Sequence, residues 1–84
     1  MGKRVGAYIQ ELRQQHGLSI RELGDEAGLS PSYVSLIERG EREVSIQNLY
    51  PIVQALGGDF GSAMRLLAID AGIPEEAVSP PKAA

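Results

Sequence analysis

Apolar residues recur along most of this chain at helical spacing, interrupted at short intervals by glycine and small polar residues. Val5, Ile9 and Leu12 fall at i, i+4 and i+7 and predict a first helix from roughly Arg4 to Gln15, ended by Gly17. A second helix starts with a full capping box, Ser19 as N-cap and Glu22 three residues on, with Leu18 and Leu23 spaced as a hydrophobic staple. It ends at Ala27 before Gly28. A third repeats the device: Leu29 and Val34 flank the N-cap Ser30, Pro31 takes the first helical position, and Gly40 stops the run after Glu38 or Arg39.

The polar loop from Glu41 to Glu43 leads to a fourth helix capped by Ser45, with a third staple in Val44 and Leu49. Its expected core stripe is Ile46, Leu49, Ile52, Val53 and Leu56, and Pro51 within that stripe is expected to kink the helix or shift its start. Gly57-Gly58 breaks the chain, and Asp59 caps a fifth helix from Phe60 to about Ala71. Gly72, Pro74 and the terminal SPPKAA predict a turn, at most one short helical turn, and a frayed tail. No strand pattern or internal repeat interrupts this sequence of helices.

Composition narrows the picture. Eighty-four residues suit one compact domain with a modest stability margin. The absence of cysteine excludes disulfide staples and thiolate metal sites, so the core must come from helix packing, with oligomerisation as the further source of support open to it. No apolar run approaches the length of a membrane-spanning helix and no signal-peptide pattern opens the chain, which predicts a cytoplasmic protein. Eight Lys and Arg against eleven Asp and Glu give −3, a balance that argues mildly against a nucleic-acid partner. The positions of those charges therefore matter more than their sum.

The stretch SIRELGDEAGLSPSYVSLIERG, from Ser19 to Gly40, carries the chemistry. Its turn, Gly28 to Ser30, has the length of a helix-turn-helix turn rather than of an antiparallel hairpin. Leu23, Ala27, Val34 and Ile37 face inward, and Gly24 is small where two crossing helices would touch. The outward side of the third helix holds Pro31, Ser32, Ser35 and Leu36, with Ser30 at its tip, and has no charge. A functionless solvated face ordinarily carries Lys or Glu, whereas small uncharged residues permit close approach to base edges. Glu22, Asp25 and Glu26 fall on the outer flank of the second helix.

Read together, GLSIRELGDEAGLSPSYVSLIERG, the preceding YIQELRQQ and the following fourth helix resemble the Cro/C1-type (XRE) helix-turn-helix family over roughly Val5 to Leu67. The resemblance implies an all-α, compact five-helix, lambda-repressor-like DNA-binding domain over residues 1–73, with 74–84 as C-terminal turn and tail. It implies a transcriptional regulator whose third helix reads the major groove, usually as a homodimer on a palindromic operator in double-stranded DNA. Base contacts would come from Ser30, Pro31, Ser32, Ser35 and Leu36. Phosphate contacts would come from the start of the second helix, at Ser19, Ile20 and Arg21, and from Arg4, Arg39 and Arg42. Tyr33 points sideways, to pack or to reach a phosphate through its hydroxyl. The family also suggests that Arg13 pairs with Glu38 and orients the recognition helix. The chain departs from the family at Gly24, commonly Ala, and at Val44, where many members have Pro. RGEREVSIQNL is similar to the loop of small restriction-modification controller proteins, which are short homodimers.

The fifth helix shows two apolar stripes, Phe60, Met64 and Leu67 and then Leu66, Ile69 and Ile73. The first suits the core and the second a dimer interface, although one broad core stripe is an equal reading. Catalysis has little support: His16 is the sole histidine and precedes a helix-ending glycine, and no metal-ligand cluster, phosphate loop or nucleophile–base pair is present. No cofactor is expected. Three readings follow: a repressor or controller acting at the nucleoid, an antitoxin-type DNA-binding protein with a protein partner, and a helical interaction module without DNA binding.

Overall fold

The computed structural model describes residues 2–78. Among them run six helices and no strand: α1 (Lys3–Gln15), α2 (Ile20–Ala27), α3 (Pro31–Glu38), α4 (Ile46–Ala55), α5 (Phe60–Asp70) and the single turn α6 (Glu75–Val78). The terminal SPPKAA, read as a tail, lies outside the described residues. No helix among those described is long and apolar enough to cross a membrane.

Local chemistry sets the helix starts. The Ser19 hydroxyl accepts from the Glu22 N–H at 3.0 Å while the Glu22 carboxylate accepts from the Ser19 N–H at 2.8 Å, closing the capping box. Ser30 and Ser45 cap α3 and α4 in the simpler way, accepting from the N–H groups of Tyr33 and Asn48. Asp59 caps α5, accepting from both the N–H and the hydroxyl of Ser62 at 2.8 and 2.7 Å. The hydroxyl and N–H of Ser62 thereby hold the Asp59 carboxyl below its ordinary range. Gly28 ends α2 in the left-handed region at φ 74°, which lets the Leu29 N–H turn back to the Gly24 carbonyl at 2.8 Å.

α1 is the exception, and its solution comes from far along the chain. Its N-cap is Gly2, which has no side chain to offer. The carboxylate of Asp70, the last residue of α5, accepts instead from the N–H groups of Arg4 and Val5 at 3.2 and 3.0 Å. An acid at a helix C-terminus opposes its own helix dipole, and here the exposed donors of α1 offset that cost.

The core gathers Val5 and Ile9 from α1, Leu23 from α2, Val34 and Ile37 from α3, Leu49, Ile52 and Val53 from α4 with Leu56 at its C-cap, and Ala63 from α5, with Val44 from the loop. α2 packs on α3 and α4, and α1 on α3 and α5. Phe60, Met64 and Leu67 line the core side of α5 as expected, but Leu66 also packs against the core.

Two expectations for α4 change. Pro51 does not shift the start of the helix, which lies at Ile46, and the helix runs on through it to Ala55. The bond it forfeits belongs to the carbonyl of Gln47, an exposed residue. Ile46 is not in the core: it is 49% exposed, and the buried apolar position at this end is Val44, just before the cap. Ile46 has the right helical phase but lies at the helix mouth, lining an open cleft with Gly2, Leu67, Asp70 and Ala71.

Candidate nucleic-acid interface

Stepping about 100° per residue around α3, Val34, Ile37 and Glu38 point inward and all three are buried. Pro31, Ser32, Ser35, Leu36 and Arg39 point outward, and with Ile20 at the start of α2 they line one shallow hollow. Four of the five residues expected to touch bases therefore share a surface with two of those expected to touch phosphate. The fifth, Ser30, sits at the tip with its hydroxyl oxygen already accepting from the Tyr33 N–H, which leaves its proton and one lone pair to be offered.

The inner side of α3 is anchored by charge. Arg13 donates through Nε and Nη2 to the two oxygens of Glu38 at 2.7 and 2.9 Å, and through Nη1 to the Leu18 carbonyl at 2.8 Å. The side chains are only 12% and 3% exposed. Glu38 raises the Arg13 pKa, first through these hydrogen bonds and then through its charge, while burial works in the opposite direction. One guanidinium thus ties α1, the α1–α2 turn and the end of α3 together. It also removes Glu38 from the acids that DNA would meet.

Close packing sharpens that placement. A Cβ on Gly6 of α1 would run into the carbonyl oxygen of Ile37 and stand 2.9 Å from that of Glu38. A Cβ on Gly24 would lie 2.6 Å from the Leu29 carbonyl oxygen, inside the turn that joins α2 to α3. Backbone meets backbone at both places, so the attitude of α3 is set without intervening side chains.

The phosphate candidates are unequal. Arg21 is exposed at the first turn of α2, beside N–H groups of Ile20 and Arg21 that no described residue accepts from. Glu22 shares that turn and stays charged, its pKa lowered first by the Ser19 N–H and then by the Ser19 hydroxyl. Ser19 itself has given its N–H to Glu22, leaving only a hydroxyl proton for a phosphate. Arg39 pairs with Glu41 at 2.9 Å on the open surface, a link weak enough to exchange for a phosphate. Arg4 stands 3.7 Å from Asp70, away from the hollow's lining. Arg42 lies over the ring of Tyr33, 5.4 Å from its centroid, and the Tyr33 hydroxyl accepts from Asn48 Nδ2 at 2.9 Å.

Of the residues placed on a dimer face, Leu66 packs on the core, Ile69 is half-buried and Ile73 is exposed. Sequence reasoning gave no role to Gly6, Asn48 or Asp70. Of these only Asp70 carried a warning in the sequence, an acid where a helix end prefers a base.

The family model described as Helix-turn-helix matches residues 9–61, well over half of the chain. The chain belongs to the Cro/C1-type helix-turn-helix family. As a member it carries the DNA-binding domain of transcriptional regulators, and the family is not an enzyme family. The uncharacterized HTH-type transcriptional regulator y4dJ of Sinorhizobium fredii is 40% identical over 57 residues, 68% of this chain and 74% of its own length. The transcriptional regulator ClgR of Mycobacterium tuberculosis is 37% identical over 68 residues, covering 81% of this chain, which spans only 57% of that relative's length. Among solved structures, the clp gene regulator ClgR of Corynebacterium glutamicum superposes with a TM-score of 0.72 at 30% identity, over 90% of this chain and 85% of its own. The family match at residues 9–61 runs through α2 and α3, so the hollow belongs to the part of the fold that the helix-turn-helix family shares.

Proposed function

We propose that this chain is an operator-binding transcriptional regulator, a repressor or controller, that inserts α3 into the major groove and works as a homodimer at the nucleoid. The observation that carries the reading is the hollow lined by Ile20, Pro31, Ser32, Ser35, Leu36 and Arg39: small and apolar at its centre, with a cation at its edge. Ser30, Ser32 and Ser35 exchange hydrogen bonds with base edges, Pro31 and Leu36 make apolar contacts, and Leu36 packs on a thymine methyl. Ser19, Ile20, Arg21, Tyr33, Arg39, Arg42 and, at the margin, Arg4 contact phosphates. Residues 1–73 form the binding unit and 74–84 its C-terminal extension. Few cations per subunit make a second copy necessary for tight binding, and Leu66, Ile69 and Ile73 are its candidate contact.

Selection of bound sites from random duplex DNA tests the reading. Two related half-sites about one helical turn apart are expected, with a log–log salt slope near about −6 for six to eight neutralised phosphates. Failure to enrich any sequence over competitor would refute it. A mass in light scattering that stays monomeric at every concentration removes the dimer alone. An antitoxin-type reading, with a protein partner, is favoured by Ile46 and Tyr50, each 49% exposed on α4. A stoichiometric partner retained on purification from the native host would support it.

A further inference from the structure

We propose that Asn48 is a positioning residue for DNA binding, turning Tyr33 and Arg42 into a two-donor clamp on one backbone phosphate. The inference rests on the DNA-binding reading above. Tyr33 sits on the flank of α3, between the outward Leu36 and the inward Ile37, facing the first turn of α4. A phenol has one proton to donate and lone pairs to accept with. The Asn48 amide donates to that oxygen at 2.9 Å. The Tyr33 proton therefore points elsewhere, and no acceptor among the described residues takes it. Asn48 is itself held, because its N–H donates to the Ser45 hydroxyl that caps α4.

Arg42 supplies the charge. Its guanidinium lies over the Tyr33 ring, 5.4 Å from the centroid, a cation–π placement that uses none of its N–H donors on a carboxylate. Arg4, Arg13 and Arg39 each face a carboxylate, and Arg42 faces none among the described residues. A neutral O–H and a cationic fork on one side of the recognition helix fit the singly charged, multi-acceptor oxygens of a phosphodiester. The α3–α4 junction then fixes how far the helix enters the groove. Phosphate contacts carry no base information, so the clamp sets affinity and register but not sequence.

Anisotropy titrations of the full chain against its selected duplex, repeated at several salt concentrations, test this. Tyr33→Phe keeps the ring and the stacked arginine, and with Asn48→Ala it should weaken binding roughly five- to tenfold. The double variant should be no weaker than either single one, because Asn48 acts through the hydroxyl. Neither single change should alter the salt slope or the preferred sequence, whereas Arg42→Gln should lower the slope by roughly 0.9 per subunit. Asn48→Ala weakening the Tyr33→Phe protein as much as the parent would overturn the proposal. So would a Tyr33→Phe protein that binds like the parent, a result that needs no Asn48 variant to fold. A parent chain that binds no duplex refutes the DNA-binding reading as well, whereas a binding parent matched by Tyr33→Phe removes only the clamp.

Discussion

The inward side of α3 ends in a buried ion pair, Glu38 with Arg13, whereas its outward side carries no charge until Arg39 at the helix end. The inner pair is bidentate, nearly dry and shared among three chain segments. The outer pair, Arg39 with Glu41, is a single contact with both partners more than half exposed. Charge with that geometry holds the helix in place on one side and remains exchangeable on the other. The Arg13–Glu38 pair cancels from the net charge of −3, and what bears on a DNA-facing surface is that the outward side of α3 carries no carboxylate.

The largest effect should come from breaking the inner pair. Arg13→Ala leaves a carboxylate that is 3% exposed without its partner, and a change of that kind costs about 3 kcal/mol or more. At roughly 4–8 °C per kcal/mol, the melting temperature should fall by roughly 12–24 °C. Sequence preference should stay that of the parent at temperatures where the variant is folded. Equal thermal melts would show that the pair is not structural.

The outer side should respond in the opposite sense. Ser35→Glu places a carboxylate in the hollow, four residues before Arg39, where the i, i+4 pairing supports the helix. Melting should be unchanged or slightly raised. Binding should weaken on the order of a hundredfold, about 2.7 kcal/mol, as the new charge meets phosphates and base acceptors. Full affinity in a folded Ser35→Glu protein would remove this surface from the interface.

Two of the buried glycines, Gly6 and Gly24, refine the comparison further. Gly6→Ala drives a methyl into the Ile37 carbonyl at the end of α3, and overpacking against backbone should cost about 2 kcal/mol. Gly24→Ala gains up to about 1 kcal/mol of helix propensity while pressing on the Leu29 carbonyl at 2.6 Å. Its net change in stability should be under about 1 kcal/mol, but the turn must open, and DNA affinity should fall with it. Chemical denaturation beside binding titrations separates these outcomes. A Gly24→Ala protein with parental affinity would mean that the turn does not set the reading geometry.

Apart from the start of α1, the helix boundaries were legible in the sequence because each is decided within a few residues. Ser19 with Glu22, Ser30 with Pro31, Ser45 and Asp59 cap locally, and glycine at positive φ follows the ends of α2 and α3. The outward face of α3 was legible for the same reason, as a matter of phase on a single helix. Ile46 shows the limit of phase, which gives a direction around an axis and not a depth along it. Asp70, Gly6 and Asn48 act on groups 65, 31 and 15 residues away, and their own neighbours in sequence contain no trace of those partners. The Arg13–Glu38 pair spans 25 residues and was reached through the family resemblance rather than from spacing.

The smallest effect concerns acid. Ser62 holds the Asp59 carboxyl below its ordinary range in the folded chain. A carboxyl with a lower pKa when folded adds stability above its unfolded value, near about 3.9, and that contribution is lost as pH falls through the folded value. Asn is as good an N-cap as Asp but does not titrate. Asp59→Asn should therefore melt slightly below the parent at pH 7, where the parent keeps its charged cap at the start of α5. The gap should narrow as the pH is lowered from about 5 through the unfolded value and on through the folded one, because the parent alone loses this contribution. Glu22 titrates in the same direction, but it is present in both proteins and cancels from the difference. A gap that stayed constant across that range would show that the Asp59 charge is not coupled to the folding of α5.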